Sequence, residues 1–165
     1  AERGPEALAE FTLSYPIATT LPRPNEQAIV LASSDSLASV GVYLETVGTL
    51  APISDSINLG YAVEALLDNN DNSLVLSMAS SVRSYQEDLL LAQVPPTALA
   101  LHKLLLSYTQ LFAATLDEMA RYGEDPMRGI VATRRLQEID RAYYPLIFND
   151  VKRLRQFHLE LASGR

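Results

Sequence analysis

Two histidines are the only imidazoles in the chain, and His102 and His158 stand far apart in sequence. Neither has a second histidine or a carboxylate four residues on, the spacing that would put two ligands on one helical face. The chain has no cysteine, which removes disulfides, thiolate metal sites and thiol nucleophiles. No H-E-x-x-H, G-x-S-x-G, phosphate-cradling glycine loop or dinucleotide fingerprint occurs. A di-metal bundle needs Glu-x-x-His pairs on facing helices, and there are none. Adjacent carboxylates occur at Glu87-Asp88 and Asp117-Glu118, but neighbours on a helix diverge by about 100°, so neither pair converges unaided. The run Asp68-Asn69-Asn70-Asp71-Asn72 places oxygen ligands at the first, third and fifth positions of a calcium loop. Ser73 then stands where that loop needs glycine, and Ala79 where it needs a bidentate glutamate. The composition is that of a tight turn, since Asn and Asp accept the left-handed region and bond their own backbone. The expectation is no catalytic residue, no cofactor site and no metal site, with His102 a packed histidine bonded to a neighbouring helix.

The feature with most functional promise is a row of cations. On an ideal helix Arg134, Arg141, Lys152 and Arg155 share one face, opposite an apolar stripe through Leu136, Tyr143 and Leu154. Between Arg128 and Arg155 there are seven basic and three acidic residues, whereas no basic residue lies between Arg23 and Arg83. That first half carries Glu26, Asp35, Glu45, Asp55, Glu64, Asp68 and Asp71. The net charge of −7 argues against nucleic acid as the main partner. The row has two readings. It is a solvated outer face balancing the acidic half, within the chain or across to a neighbouring subunit, or it is a docking surface for an acidic protein or anionic lipid headgroups. Tyr143-Tyr144 lie beside it, and tyrosine is enriched at interfaces.

The elements that position these residues are helical. The clearest spans Val94 to Pro126. Val94-Pro95 stops the preceding helix, and Pro96 suits a first turn. Leu101, Leu104, Leu105, Tyr108, Leu111, Phe112, Leu116, Met119 and Tyr122 then form one broad apolar arc. Lys103, Ser107, Gln110, Asp117 and Arg121 lie opposite, with Asp117 and Arg121 an i,i+4 pair. Gly123 is placed to be the left-handed residue past the helix end, and Asp125-Pro126 to be N-cap and first residue of the next. That last helix runs to about Leu161 on a stripe through Leu136, Ile139, Tyr143, Ile147, Leu154, Phe157 and Leu161, with Pro145 kinking it.

Upstream, Asn25 caps a helix to about Leu50 with Ile29, Ala32, Leu37, Val40, Leu44 and Val47 inward and a break expected near Asp35. A strand over Gln27–Ala32 is the alternative. Ala51-Pro52 ends it, and Ser54 or Asp55 caps a helix over 55–68 with Leu59, Val63, Leu66 and Leu67 inward. Ser73 opens another to about Gln93, with Leu74, Met78, Val82, Tyr85 and Leu89 inward. Residues 1–24 carry four prolines and have two readings, a lead-in or tether and an ordinary terminus packed on the bundle, with a short helix expected over Pro5 to Phe11. At 165 residues, 48% of them apolar, the chain has enough material for one core. No run of 18 apolar residues is present to span a membrane. The fold class expected is all-α: an antiparallel bundle of about five helices over residues 25–162, sequential helices adjacent, the C-terminal one long and proline-kinked.

Tyr85, Leu89-Leu90-Leu91, Val94-Pro95, Leu101-His102, Leu104-Leu105-Leu106 and Asp125-Pro126 follow one another in a pattern. It resembles that of uncharacterised, exported, mostly helical proteins of candidate phyla radiation bacteria (Patescibacteria). About half the chain takes part. The doubled Pro95-Pro96 and Arg134-Arg135 depart from it. The resemblance implies a domain outside the cytoplasmic membrane, held by an N-terminal anchor or signal absent from this chain. It also implies association with secretion- or pilus-like envelope machinery, and it carries no chemistry. The functional expectation is a non-enzymatic module binding envelope proteins, itself included, with Arg134, Arg141, Lys152 and Arg155 as docking face. A small-molecule or lipid carrier is the alternative.

Overall fold

In the computed structural model, which describes residues 20–48 and 56–164, the leucine-rich stretch after Val94 becomes the helix that the others surround. The described helices are α1 (Leu37–Gly48), α2 (Ser56–Asn69), α3 (Ser73–Leu91), α4 (Leu99–Ala120) and α5 (Pro126–Ala162). The expected all-α antiparallel bundle with a long last helix is what forms. The short helix expected over Pro5 to Phe11 and the caps at Ser54 or Asp55 lie outside the described residues.

Helix α4 buries more than its apolar arc. Leu101, Leu105, Tyr108, Leu111, Phe112, Leu116 and Met119 are buried as the spacing requires, and Ser107, Thr109 and Thr115 are buried with them. The two threonines return their hydroxyls to backbone, Thr109 to Leu105 O at 2.8 Å and Thr115 to Leu111 O at 2.8 Å. A buried hydroxyl thus keeps a partner without help from another helix. Each large apolar side chain removed from water contributes roughly 1.5–3 kcal/mol before ordering entropy is subtracted. This is why the helix packed on both α3 and α5 dominates the core.

The chain reverses on short connections, so α2, α3, α4 and α5 pack sequentially. At the first reversal Asn70 takes the left-handed conformation (φ 53°), Asp71 accepts from Ser73 N at 2.9 Å, and Asn72 Nδ2 donates to Ala120 O at 3.1 Å. The polar run after Asp68 therefore closes a turn and caps the end of α4. Gly123 does not take the left-handed region expected of it. Helix α4 instead tightens into a 3-10 turn over Arg121–Gly123. The glycine is needed for space, since a Cβ there would meet Asn70 Oδ1 at 2.9 Å. Asp125 and Pro126 behave as expected, with the Asp125 carboxylate accepting from Arg128 N at 3.1 Å. Helix α5 continues through Pro145, which leaves the Arg141 carbonyl without its usual intrahelical donor.

The first helix is shorter than its sequence spacing suggested. Asn25 caps, but what it caps is a 3-10 turn over Glu26–Ala28. A two-residue strand follows, β1 (Val30–Leu31), paired in parallel with β2 (Gln93–Val94). The strand alternative is therefore the better description of this segment. The break near Asp35 is real and has a use: its carboxylate receives Thr97 N at 3.0 Å and Thr97 Oγ1 at 2.9 Å, tying the entry of α1 to the entry of α4. Ser36 and Ser39 then cap α1 reciprocally, each hydroxyl accepting the other's backbone N–H in the manner of a capping box. Helix α1 does not lie beside α2 as a sequential bundle would have it. It packs mainly on α5, where Gly41 admits the His158 ring.

Three inward assignments also shift. Leu37, Leu67 and Leu74 are exposed; Val40, Tyr43 and Val47 form the buried face of α1, Leu66 holds the core position on α2, and Val75 and Ala79 take it on α3.

Candidate functional site

Helix α5 is 37 residues long, and its inner stripe of Leu136, Ile139, Ile147 and Leu154 is buried. Burying that stripe forces the opposite face outward. Positions 134, 141, 148, 152, 155 and 159 fall within about 40° of one line on a helix of 100° per residue, with 144 at the margin. All seven are exposed. The structure thus puts Arg134, Arg141, Lys152 and Arg155 on one exposed face, as their spacing requires.

What the charge row alone did not disclose is what lies among and beyond the cations. Phe148 is 56% exposed and Leu159 63% exposed, and Tyr144 stacks on Phe148 with ring centroids 6.5 Å apart. An isolated exposed apolar residue needs no explanation. Three of them interspersed with cations along one face make a surface with both an apolar and an electrostatic component. The signal was present in the sequence, since Phe148 and Leu159 share the phase of Arg141. Tyr143 goes the other way and packs against the core.

The cations differ in their engagement. Arg134 reaches Glu138 at 3.4 Å, but Glu138 also receives Arg135 at 2.6 Å, so one carboxylate serves two guanidiniums. Arg141, Lys152 and Arg155 form no salt bridge among the described residues. The nearby Asp150 is taken by Arg153 at 3.1 Å, and Glu160 accepts from Gln156 at 3.3 Å. The face therefore keeps a net positive charge.

A second surface lies between α2 and α3. It is an open groove of about 680 Å³ whose walls include Tyr61, Glu64, Asp68, Leu74, Met78 and Ser81. Tyr61 is 61% exposed. Glu64 and Asp68 are one turn apart on α2, both exposed and without a salt bridge among the described residues.

The remaining titratable groups serve the fold. His102 is buried and its Nδ1 lies 3.1 Å from Tyr43 Oη, so it is the packed, bonded histidine expected. Burial pushes its pKa down to about 4 and the Tyr43 phenol up. Tyr108 donates to Asp140 at 3.0 Å, joining α4 to α5. Asp117 and Glu118 do not converge: Asp117 pairs with Arg83 and Glu118 with Arg128. The expected Asp117–Arg121 pair is replaced by that link from α4 to α3. No group of three His, Asp or Glu side chains able to hold a metal ion occurs among the described residues, and no described helix is long and apolar enough to cross a membrane. Compared with protein-family models, curated proteins and solved structures, the chain matches none.

Proposed function

We propose that this protein is a non-enzymatic helical interaction module whose α5 outer face docks on an acidic protein surface. The observation that carries the reading is that face itself: Arg141, Lys152 and Arg155, in no salt bridge among the described residues, interspersed with exposed Tyr144, Phe148 and Leu159. Charge complementarity steers encounter and fixes register, and apolar and aromatic groups between the charges supply contact area that charge alone does not. The non-enzymatic part is supported by the use made of the titratable groups, since His102, Asp117, Glu118 and Asp140 are all engaged in links between helices.

The resemblance to exported helical proteins supports a place outside the cytoplasmic membrane. There the module would be tethered by an N-terminal segment and work within a secretion- or pilus-like envelope assembly. Crosslinking the full-length protein in its own cells and identifying what is recovered tests this. Envelope proteins recovered with the native chain, and lost on reversing Arg134, Arg141, Lys152 and Arg155 to Glu, are the expected result. An unchanged set of partners after reversal would remove the docking face from the account.

The carrier reading has one observation in its favour, the groove between α2 and α3, whose volume suits a small ligand. Native mass spectrometry of gently purified protein tests it; a retained small molecule or lipid supports a carrier, and a mass equal to the chain alone counts against one.

A further inference from the structure

The two exposed surfaces are complementary to each other. The groove between α2 and α3 is walled by segments that contain no basic residue, since none lies between Arg23 and Arg83. Glu64 and Asp68 stand on one wall, and Leu74 and Met78 on the other. The outer face of α5 offers the converse, with Lys152 and Arg155 one turn apart and Tyr144 and Phe148 one turn apart. Residues three or four apart on a helix are about 5–6 Å from each other, so the carboxylate pair and the cation pair have the same pitch. An amphipathic helix laid in a groove engages it through anchors at such spacings. Within one molecule both surfaces are exposed, so neither covers the other.

We propose that the α2/α3 groove of one copy receives the α5 outer face of a second copy, with Tyr144 and Phe148 against the groove's apolar wall and Lys152 and Arg155 against Glu64 and Asp68. This rests on the reading of α5 as a docking face and names its acidic partner as the chain itself. The contact joins two different surfaces, so it is heterologous. Each copy keeps a free groove or a free face, and association continues to a ring or a filament.

The test uses two variants at exposed positions. One breaks the face (Phe148→Ala, Lys152→Gln, Arg155→Gln), and the other breaks the groove (Glu64→Gln, Asp68→Asn). Circular dichroism checks that both fold. Analytical ultracentrifugation of the native chain at low salt should show species beyond the monomer that dissociate as salt is raised. Each variant alone should associate at least tenfold more weakly. An equimolar mixture should regain a one-to-one complex and stop there, because the groove of one variant meets the face of the other. A native chain that stays monomeric at millimolar concentration overturns the proposal. So does association that the groove variant does not weaken. If either occurs while face reversal still removes a partner in cells, the docking face stands and its partner is another acidic protein. If the native chain self-associates through both surfaces but no envelope protein is recovered in cells, the self-contact stands and the envelope assignment falls.

Discussion

Tyr43 and Tyr85 are both buried phenols in the core, but only one of them has a partner. Tyr43 Oη meets His102 Nδ1 at 3.1 Å, whereas Tyr85 Oη has none among the described residues. Removing one member of a buried hydrogen bond costs about 1–3 kcal/mol, while removing a hydroxyl that has no partner costs little or stabilises. Tyr43→Phe should therefore lower stability in urea by about 1–3 kcal/mol, and Tyr85→Phe should leave it unchanged or raise it. His102 adds a pH dependence with a definite sign. Its folded pKa of about 4 lies below its ordinary 6.5, so the unfolded chain binds the proton more readily. The stability it contributes is complete above pH 6.5, is lost as pH falls toward about 4, and is constant below. By linkage that loss is on the order of 3 kcal/mol. Urea midpoints measured from pH 7.5 to 4 should show that loss, and His102→Gln should flatten the part of the profile due to this group.

At the scale of the element, Gly129 and Pro145 act on α5 in opposite senses. A Cβ at Gly129 would stand 2.7 Å from Tyr122 Cβ and 2.8 Å from Tyr122 Cα, and the Cα cannot swing away as a side chain can. Alanine gains up to about 1 kcal/mol of helix propensity over glycine, but overpacking costs about 1–3 kcal/mol and should prevail. Gly129→Ala is expected to lower the melting temperature. Pro145 is exposed and denies the Arg141 carbonyl a donor. Pro145→Ala should raise stability by about 1–3 kcal/mol through the recovered bond and propensity, as thermal unfolding will show.

The same two scales explain what the sequence disclosed. Helices α3, α4 and α5 were legible because each has a long apolar period and hard punctuation in Asn72, Pro95 and Pro126. The start of α1 was not, because Asn25 is a good cap for either an α-helix or a single 3-10 turn. The choice was made by pairing with Gln93–Val94, more than 60 positions away. The polar flank of α4 misled for a related reason: Ser107 looks solvent-facing by type, and burial on two sides overrode that. Leu67 and Leu74 read as inward by hydrophobicity, although each has a neighbour, Leu66 or Val75, one position better in phase. Of the candidate site, the cations were found by spacing alone. Phe148 and Leu159 share that phase and were legible by the same spacing, but an apolar letter reads as core by type, whereas its exposure is set by which face the packed helix turns outward.

For the molecule as a whole, the charge asymmetry along the chain becomes an asymmetry in space: an acidic, partly apolar groove made by the first half and a basic, partly apolar face made by the last helix. Surface charges of this kind contribute little to stability. Reversing Arg141, Lys152 and Arg155 should thus shift the melting temperature by no more than about 2 °C while changing what the protein binds. A loss of many degrees would mean that the row serves the fold.

The most direct measurement is photocrosslinking from single positions in the living cell. A photoreactive amino acid at Phe148 or Tyr144, on the α5 face, is compared with one at Gln110, exposed on α4. Discrete protein adducts from the α5 positions and none from Gln110 are the result predicted. Adducts of equal yield from all three positions, or from Gln110 alone, would contradict the assignment of α5 as the docking face.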